Sequence, residues 1–332
     1  MAQPGVRIKK FISPFSFFVF IFFLLACNSP KQEQVQETQQ PVPVVNVPSF
    51  NPDSAYIYTK VQVDFGPRIP NSVAHTKCGD YLAASLKQWC DTFIEQKAPI
   101  TAYDGKVLQM RNMIGSFNPS VANRILFTAH WDTRPWADQD TVNKDKPIDG
   151  ANDGAAPVGT LLEIARQLAL SNTNLGVDII FFDLEDYGKT EHDNSYCYGS
   201  QYWTQHKHVE RYQARFGILL DMTAAAHGTF TKEGTSMQYA PDIVNMVWHT
   251  AAAAGYSDYF VQDETTGIID DHYYINKMGG IKCIDIVHYD YNTPSHFWKY
   301  WHTHGDSMDK IDKNTMKAVG QTLLEVVFRN PS

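Results

Sequence analysis

The residues best suited to chemistry are three acids within four positions, Asp183, Glu185 and Asp186. They close the run Val177-Asp178-Ile179-Ile180-Phe181-Phe182, whose β-branched and aromatic residues read as a strand buried on both faces. Ligands bind at the carboxyl ends of strands in open α/β sheets. Adjacent carboxylates there can divide labour, one holding a metal and the other moving protons. A strand running into a solvated acidic turn would look the same, so the reading depends on partners elsewhere.

Four other segments offer them. His130-Trp131-Asp132 directly follows the apolar run ending at Ala129. Asp149-Gly150-Ala151-Asn152-Asp153 precedes a helix. Asp221 closes Gly217-Ile218-Leu219-Leu220, and Trp301-His302-Thr303-His304 lies in a loop before the last helix. Catalytic zinc takes nitrogen and oxygen donors and keeps one position open, so three or four of these residues would suffice. Taken singly, Asp153 reads as a helix cap, His130 as a core histidine and Asp221 as a turn acid. The ordered set is what points to convergence.

The elements that would carry them alternate. Helical spacing is expected over Ser54–Val63, over Ser72–Trp89 with Ser72 as cap, and over Gly154–Leu170 with Asp153 as cap. Tyr198–Gln205, Asp242–Ala254 (closed by Gly255) and Asp312–Phe328 read the same way. Strands are expected at Val107–Phe117, Arg124–Thr128, Phe216–Met222 and Lys282–Val287, besides the acidic strand. Strands alternating with helices from residue 72 onward imply an α/β fold of three layers, a mixed, mostly parallel sheet with helices on both faces. Tyr239–Trp248 reads as core, and the loop around His192 as solvated.

The series resembles the glutaminyl-peptide cyclotransferases, the animal-type glutaminyl cyclases and their bacterial relatives within the zinc aminopeptidase-like superfamily. The resemblance spans residues 54–330 and rests on the run His130-Trp131-Asp132-Thr133-Arg134-Pro135-Trp136-Ala137-Asp138, on Asp270-Asp271-His272 and on Trp301-His302-Thr303. It implies that Asp153, Asp186 and His302 hold zinc and that Glu185 is the general acid/base. It implies that Asp271 orients the reacting amide and that Trp301, with Trp136, walls the substrate pocket. Asp285 falls where the animal enzymes have a histidine in the same hydrogen-bond chain, and Asp186 is shorter than the glutamate usual at its position. The implied activity is cyclisation of N-terminal glutamine to pyroglutamate with loss of ammonia, on one zinc ion. A dinuclear zinc aminopeptidase is the nearest alternative, with His130 and Asp221 holding a second ion and Asp153 bridging. A non-catalytic peptide-binding surface lipoprotein is a further one. His288, His296 and His304 are expected in surface or supporting roles.

The whole chain has 332 residues, 43% apolar, 13% aromatic and 19% charged, with net charge −8. That is ample for a core and gives no reason to expect nucleic acid as a partner. Arg7, Lys9 and Lys10 precede an apolar stretch, Phe15–Ala26, shorter than the ~20 residues of a spanning helix. It ends Leu24-Leu25-Ala26-Cys27, which resembles a bacterial lipobox. Residues 1–26 are therefore expected to be a signal peptide and Cys27 a lipidated residue. Residues 27–48 would be a flexible tether and 49–332 a single catalytic domain. The expected place is the bacterial cell envelope, on the outer membrane facing the periplasm, with membrane contact only through the lipid. The expected partners are peptides or proteins with N-terminal glutamine. Cys78, Cys90, Cys197 and Cys283 form no C-x-x-C pair and are expected to be free.

Overall fold

The computed structural model describes Lys10 and residues 45–329. The expected signal peptide, Cys27 and most of the tether lie outside the described residues. The chain divides into two units, Met1–Val44 and Val45–Ser332, and every element belongs to the second.

Two helices lead, α1 (Pro52–Asp64) and α2 (Val73–Trp89), the latter capped by Ser72, whose hydroxyl accepts from His75 N–H. Strands β1 (Thr92–Thr101), β2 (Val107–Phe117) and β3 (Arg124–His130) follow, then α3 (Ala156–Leu170) and β4 (Gly176–Phe182). After α4 (Tyr198–Gln205) and β5 (Gly217–Asp221) come β6 (Phe230–Lys232), α5 (Gly234–Tyr239) and α6 (Pro241–Ala253). The chain ends with β7 (Phe260–Glu264), α7 (Asp271–Lys277), β8 (Cys283–Val287) and α8 (Lys313–Arg329). Six strands form one sheet in the order β1-β2-β4-β3-β5-β8, while β6 and β7 pair apart from it. The pairs β4/β3, β3/β5 and β5/β8 are parallel; β1/β2 and β2/β4 are antiparallel.

The uninterrupted apolar strands are buried on both faces because successive side chains point to opposite sides. Ile125, Phe127, Ile179 and Phe181 join one core with α2, α3, α6 and α8. Leu126, Ile180 and Phe182 join a second core with Trp203 of α4 and Ile275 of α7. The sheet is therefore covered by helices on each side, as the alternation of elements implies.

Three differences from the sequence reading have physical causes. β1 is an edge strand bearing Glu95, Lys97 and Pro99, which blunt an exposed edge but hide the strand pattern. The short elements β6, α5, β7 and α7 lack a full period of apolar residues to announce them. α3 begins at Ala156 rather than Gly154, behind a five-residue π-turn, Ala151–Ala155. Asp153 has non-helical φ/ψ there and is not the cap of α3. Its carboxylate turns toward His130 instead.

Asp178 is the charged residue inside the apolar strand β4, fully buried. It accepts from Arg124 Nε (2.6 Å) and Nη2 (2.8 Å), from the Tyr212 hydroxyl (2.6 Å) and from the Ser116 hydroxyl (2.6 Å). Those bonds tie β2, β3 and β4 to the loop before β5. Among the described residues no helix is long and apolar enough to cross a membrane.

Removing one partner of a buried ion pair leaves the other uncompensated, at a cost of about 3–5 kcal/mol. Arg124→Met is expected to lose stability of that order in urea unfolding; a loss below about 1 kcal/mol would show that Asp178 is neutralised by its hydroxyl donors alone.

Candidate metal centre and active site

The carboxyl ends of the parallel strands bring the chemistry together. His130 ends β3, Glu185 and Asp186 follow β4, and Asp221 ends β5. Asp153 arrives in the turn before α3, and His302 in the long segment between β8 and α8. His302 Nε2 lies 3.1 Å from Asp186 Oδ1 and 3.6 Å from Asp153 Oδ2. The ligand atoms of Asp153, Asp186 and His302 all lie within 4.8 Å of one another. A second group, His130, Asp153 and Asp221, meets the same limit. Asp153 belongs to both, with Oδ1 2.9 Å from His130 Nε2 and Oδ2 toward His302.

Asp153 Oδ2, Asp186 Oδ2 and Asp221 Oδ1 are buried without a hydrogen-bond partner. Buried acceptors are almost always satisfied, so three orphaned oxygens aimed into one space suit a cation. Two carboxylates and an imidazole offer three oxygen and nitrogen donors of the kinds zinc binds, the number of protein ligands at which a catalytic zinc keeps a position open. Asp138 Oδ1 stands 3.3 Å from His302 Nδ1, which leaves Nε2 facing the carboxylates.

The acidic turn is held almost atom by atom. Asp132 Oδ1 accepts from Glu185 N–H (3.1 Å) and Oδ2 from Asp186 N–H (3.2 Å). Asn112 accepts from Asp183 N–H, and Asp183 accepts from Leu184 N–H and Arg111 N–H. Asp183 also lies 2.9 Å from His75 Nε2, and the His75 ring stacks on Trp131. Glu185 O and Leu184 O accept from the N–H groups of Cys197 and Tyr198, and Arg134 donates to Asp186 O. On the other side, Asp306 accepts from the N–H groups of Asn152 and Asp153. A Cβ on Gly154 would come within 2.5 Å of His130 Nε2 and 2.6 Å of His130 O, so only glycine lets the turn before α3 approach the end of β3. Leu184, Cys197, Met222 and His302 adopt positive φ, an unusual concentration of left-handed non-glycine backbone around one site.

Burial, then the neighbouring Asp186 charge, pushes Glu185 well above the usual carboxylate range. A dication beside it opposes that rise. Burial disfavours a charged His302, but Asp186 and Asp138 overcome it and raise the ring to about 9. Glu185 Oε1 lies 3.5 Å from Cys197 Sγ, and Glu185, Cys197 and Asp270 form a further close group.

A cavity of about 620 Å³ opens over these residues, with Glu185, Asp186, Asp270, Trp301 and His302 in its wall. The Trp301 ring stacks on His302 at 3.9 Å. Three expectations need correction. Trp136 does not line the cavity; its ring is covered by Arg134 and Lys189 and meets Tyr187 edge-on. Asp271 is fully buried away from the cavity with both oxygens unpartnered, and it is Asp270, as the cap of α7, that faces inward. Asp285 sits in mid-strand on β8, behind the cavity rather than in its wall, close to His272 and to Asp270, which itself reaches the cavity. Of the remaining histidines, His192 and His296 are exposed and line the cavity. His304 pairs with Asp140, and His288 is buried against Thr229. Cys78, Cys90, Cys197 and Cys283 are free.

Sequence reasoning gave no role to Asp132, Asp138, Asp270 or Asp306. Asp132 and Asp138 stand inside the run His130–Asp138, and Asp270 directly precedes Asp271. Only the direction of each side chain separates them, and sequence spacing does not carry it.

Residues 112–327 match the family described as Peptidase family M28. The chain is 51% identical to a solved Bacteroides thetaiotaomicron glutaminyl cyclase bound to N-acetylhistamine, covering 85% of this chain and 99% of that one with TM-score 0.83. A solved Zn-dependent exopeptidase from Parabacteroides distasonis is 48% identical over 85% and 99% of the two chains, with TM-score 0.84. A glutaminyl-peptide cyclotransferase of Bos taurus is 23% identical over 261 residues, 70% of this chain and 68% of the relative.

Two outcomes follow. Asp132→Ala frees the N–H groups behind Glu185 and Asp186, and is expected to lower metal affinity about 10–100-fold, read by elemental analysis after graded chelation. Glu233 reports on pH. Burial favours its neutral form, but the His272 ring and the N–H groups of Thr235 and Ser236 outweigh that and hold it at about 2, below the usual 4.5. Its folded pKa being depressed, its contribution is complete above pH 4.5 and is lost as pH falls toward 2. Glu233→Gln should remove about 3 kcal/mol at pH 7 and flatten the acid limb of a stability–pH curve.

Proposed function

The chain belongs to peptidase family M28, and we propose that it closes the N-terminal glutamine of peptides to pyroglutamate, releasing ammonia. The observation that carries this reading is Glu185 standing in the cavity wall beside the Asp153, Asp186 and His302 cluster, with Asp270 and Trp301 facing the same space. The 51% identity to a bacterial glutaminyl cyclase supports it.

When held by Asp153, Asp186 and His302, zinc supplies Lewis acidity toward the glutamine side-chain carbonyl. Glu185 accepts a proton from the substrate's α-amine as its nitrogen bonds to the side-chain carbon. Glu185 then returns that proton to the side-chain nitrogen, whose bond to carbon breaks and which leaves as ammonia. Water is neither consumed nor made. Asp270 is placed to accept a hydrogen bond from the departing nitrogen. Trp301 packs against the methylene groups and keeps the chain curled, so the nucleophile and carbonyl meet in a near-attack shape. The nucleophile belongs to the substrate, so no enzyme nucleophile is needed.

A second reading, hydrolytic removal of N-terminal residues, is favoured by the His130, Asp153 and Asp221 group, which has the donors for a second ion. The 48% identical exopeptidase supports it. We further infer that Cys27 carries lipid and holds the enzyme on the bacterial envelope, at the outer membrane facing the periplasm. That inference rests on Leu24-Leu25-Ala26-Cys27, and loss of labelled-palmitate incorporation in Cys27→Ala would support it.

Incubation with a glutaminyl peptide is expected to give pyroglutamate and ammonia, at full rate with one equivalent of zinc. Turnover of leucyl anilide requiring two equivalents, without pyroglutamate, would establish the second reading instead. Glu185→Gln should lower kcat by about 10²–10⁴-fold while zinc content stays unchanged.

A further inference from the structure

We propose that Glu233 is a positioning residue for the reaction proposed above: it holds the segment Ile268–His272 in the form that presents Asp270 to the departing nitrogen. This deepens that function and rests on it. Glu233 is buried at the start of α5 and stands outside the cavity wall. Its Oε1 accepts from Thr235 N–H (2.7 Å) and Ile268 N–H (2.6 Å). Its Oε2 accepts from Ser236 N–H (2.7 Å) and the Ser236 hydroxyl (2.8 Å), and lies 3.2 Å from His272 Nε2. Ile268 stands two residues before Asp270 and His272 two residues after it. One carboxylate therefore grips the chain on both sides of the residue that faces the substrate.

The same contact backs a wall of the cavity. Thr266, Gly267, Ile268, Ile269 and Asp270 line it in succession. Behind them, the Thr235 hydroxyl donates to Ile268 O (2.8 Å), so both backbone polar groups of Ile268 end on the start of α5. Gly234 N–H donates to Thr266 O. A Cβ on Gly234 would come within 2.6 Å of Gly267 N, and one on Gly267 within 2.8 Å of Thr235 Oγ1, so the two segments meet at a distance only glycine allows. Ile269 is 64% exposed, and burial of its side chain does little to fix the wall. Hydrogen bonds to α5 carry that task.

The task needs a carboxylate. Burial opposes the charge, yet the His272 ring and the N–H groups of Ser236 and Thr235 keep Glu233 ionised, at about 2. Ionised, it accepts at both oxygens, whereas a glutamine amide accepts at one and donates at the other. Glutamine must therefore set its NH2 against Ile268 N–H or against the Ser236 and His272 donors. Either choice releases one end of the frame around Asp270. The nitrogen departs only in the transition state, so a small displacement of Asp270 costs rate rather than binding.

The test compares Glu233→Gln, Asp270→Asn and the double variant on a glutaminyl peptide, each zinc-loaded and shown to be folded by circular dichroism. Glu233→Gln is expected to lower kcat about 10–100-fold, with KM within about twofold and zinc content unchanged. In the Asp270→Asn background the same change should cost less than about twofold, because one residue acts through the other. Glu163→Gln, which alters a buried carboxylate of α3 bonded to Arg166 and Gln167, should lower stability and leave kcat in place. Thr235→Val, which cuts the bond to Ile268 O and keeps the buried charge, serves if Glu233→Gln does not fold. It should lower kcat about threefold, again only while Asp270 is present. An unchanged kcat, an equal loss in both backgrounds, or the same loss in Glu163→Gln would overturn the positioning role and leave the cyclase reading standing. Failure of the unmutated protein to form pyroglutamate would overturn both.

Discussion

Everything at this site answers to one electrostatic constraint: many carboxylates are buried within a few ångströms of one another. Burial first, and after it the charges of neighbouring carboxylates, drive Asp186, Asp221 and Asp270 toward their neutral forms, and Glu185 further still. Asp153 runs the other way, because the His130 ring overcomes its burial and keeps it ionised. Such a set is stable only if cations, N–H groups or protons offset it. The protein supplies His130, His302 and Arg134 beside the carboxylates, and leaves three of their oxygens without a hydrogen bond. A metal ion completes that balance, so the same repulsion that burdens the fold is the source of the site's affinity.

The backbone around the cluster shows what holding it requires. Asp132 spends both oxygens on the N–H groups of Glu185 and Asp186, and Asp306 spends both on Asn152 and Asp153. Neither carboxylate need touch a substrate. They fix the peptide planes from which the reactive side chains spring, and the backbone beside them takes positive φ at Leu184, Met222 and His302. Backbone of that kind costs about 1–3 kcal/mol per residue, which the surrounding strands and hydrogen bonds offset.

One scaffold can thus serve two reactions. The parallel strand ends deliver donors for one ion or two, and Asp153 faces both positions. Whether the second group, His130, Asp153 and Asp221, holds an ion bears on which reaction the scaffold serves, and the cavity above the donors shapes how a substrate lies on it. A substrate pressed against Trp301, with its own amine near its own amide, needs no water; one held extended does.

Much of this was legible in the sequence. The apolar strands declared themselves because burial on both faces demands continuous runs, and the acids at their ends were visible as sharp breaks in polarity. Asp153, Glu185, Asp186, Asp221, His130 and His302 stood out by order along the chain, and the fold brings them to one place. Side-chain direction was settled only in three dimensions. Asp270 and Asp271 are neighbours of the same type, yet the start of α7 turns the first into the cavity and the second into the interior. Trp136 and Trp301 are both aromatic residues beside histidine-bearing motifs, yet only Trp301 reaches the cavity wall. The edge strand β1 stayed hidden because charged residues and proline protect such an edge from further pairing. Sequence carries periodicity and polarity, which decide what is buried; where each side chain points depends on backbone torsions and packing partners far along the chain.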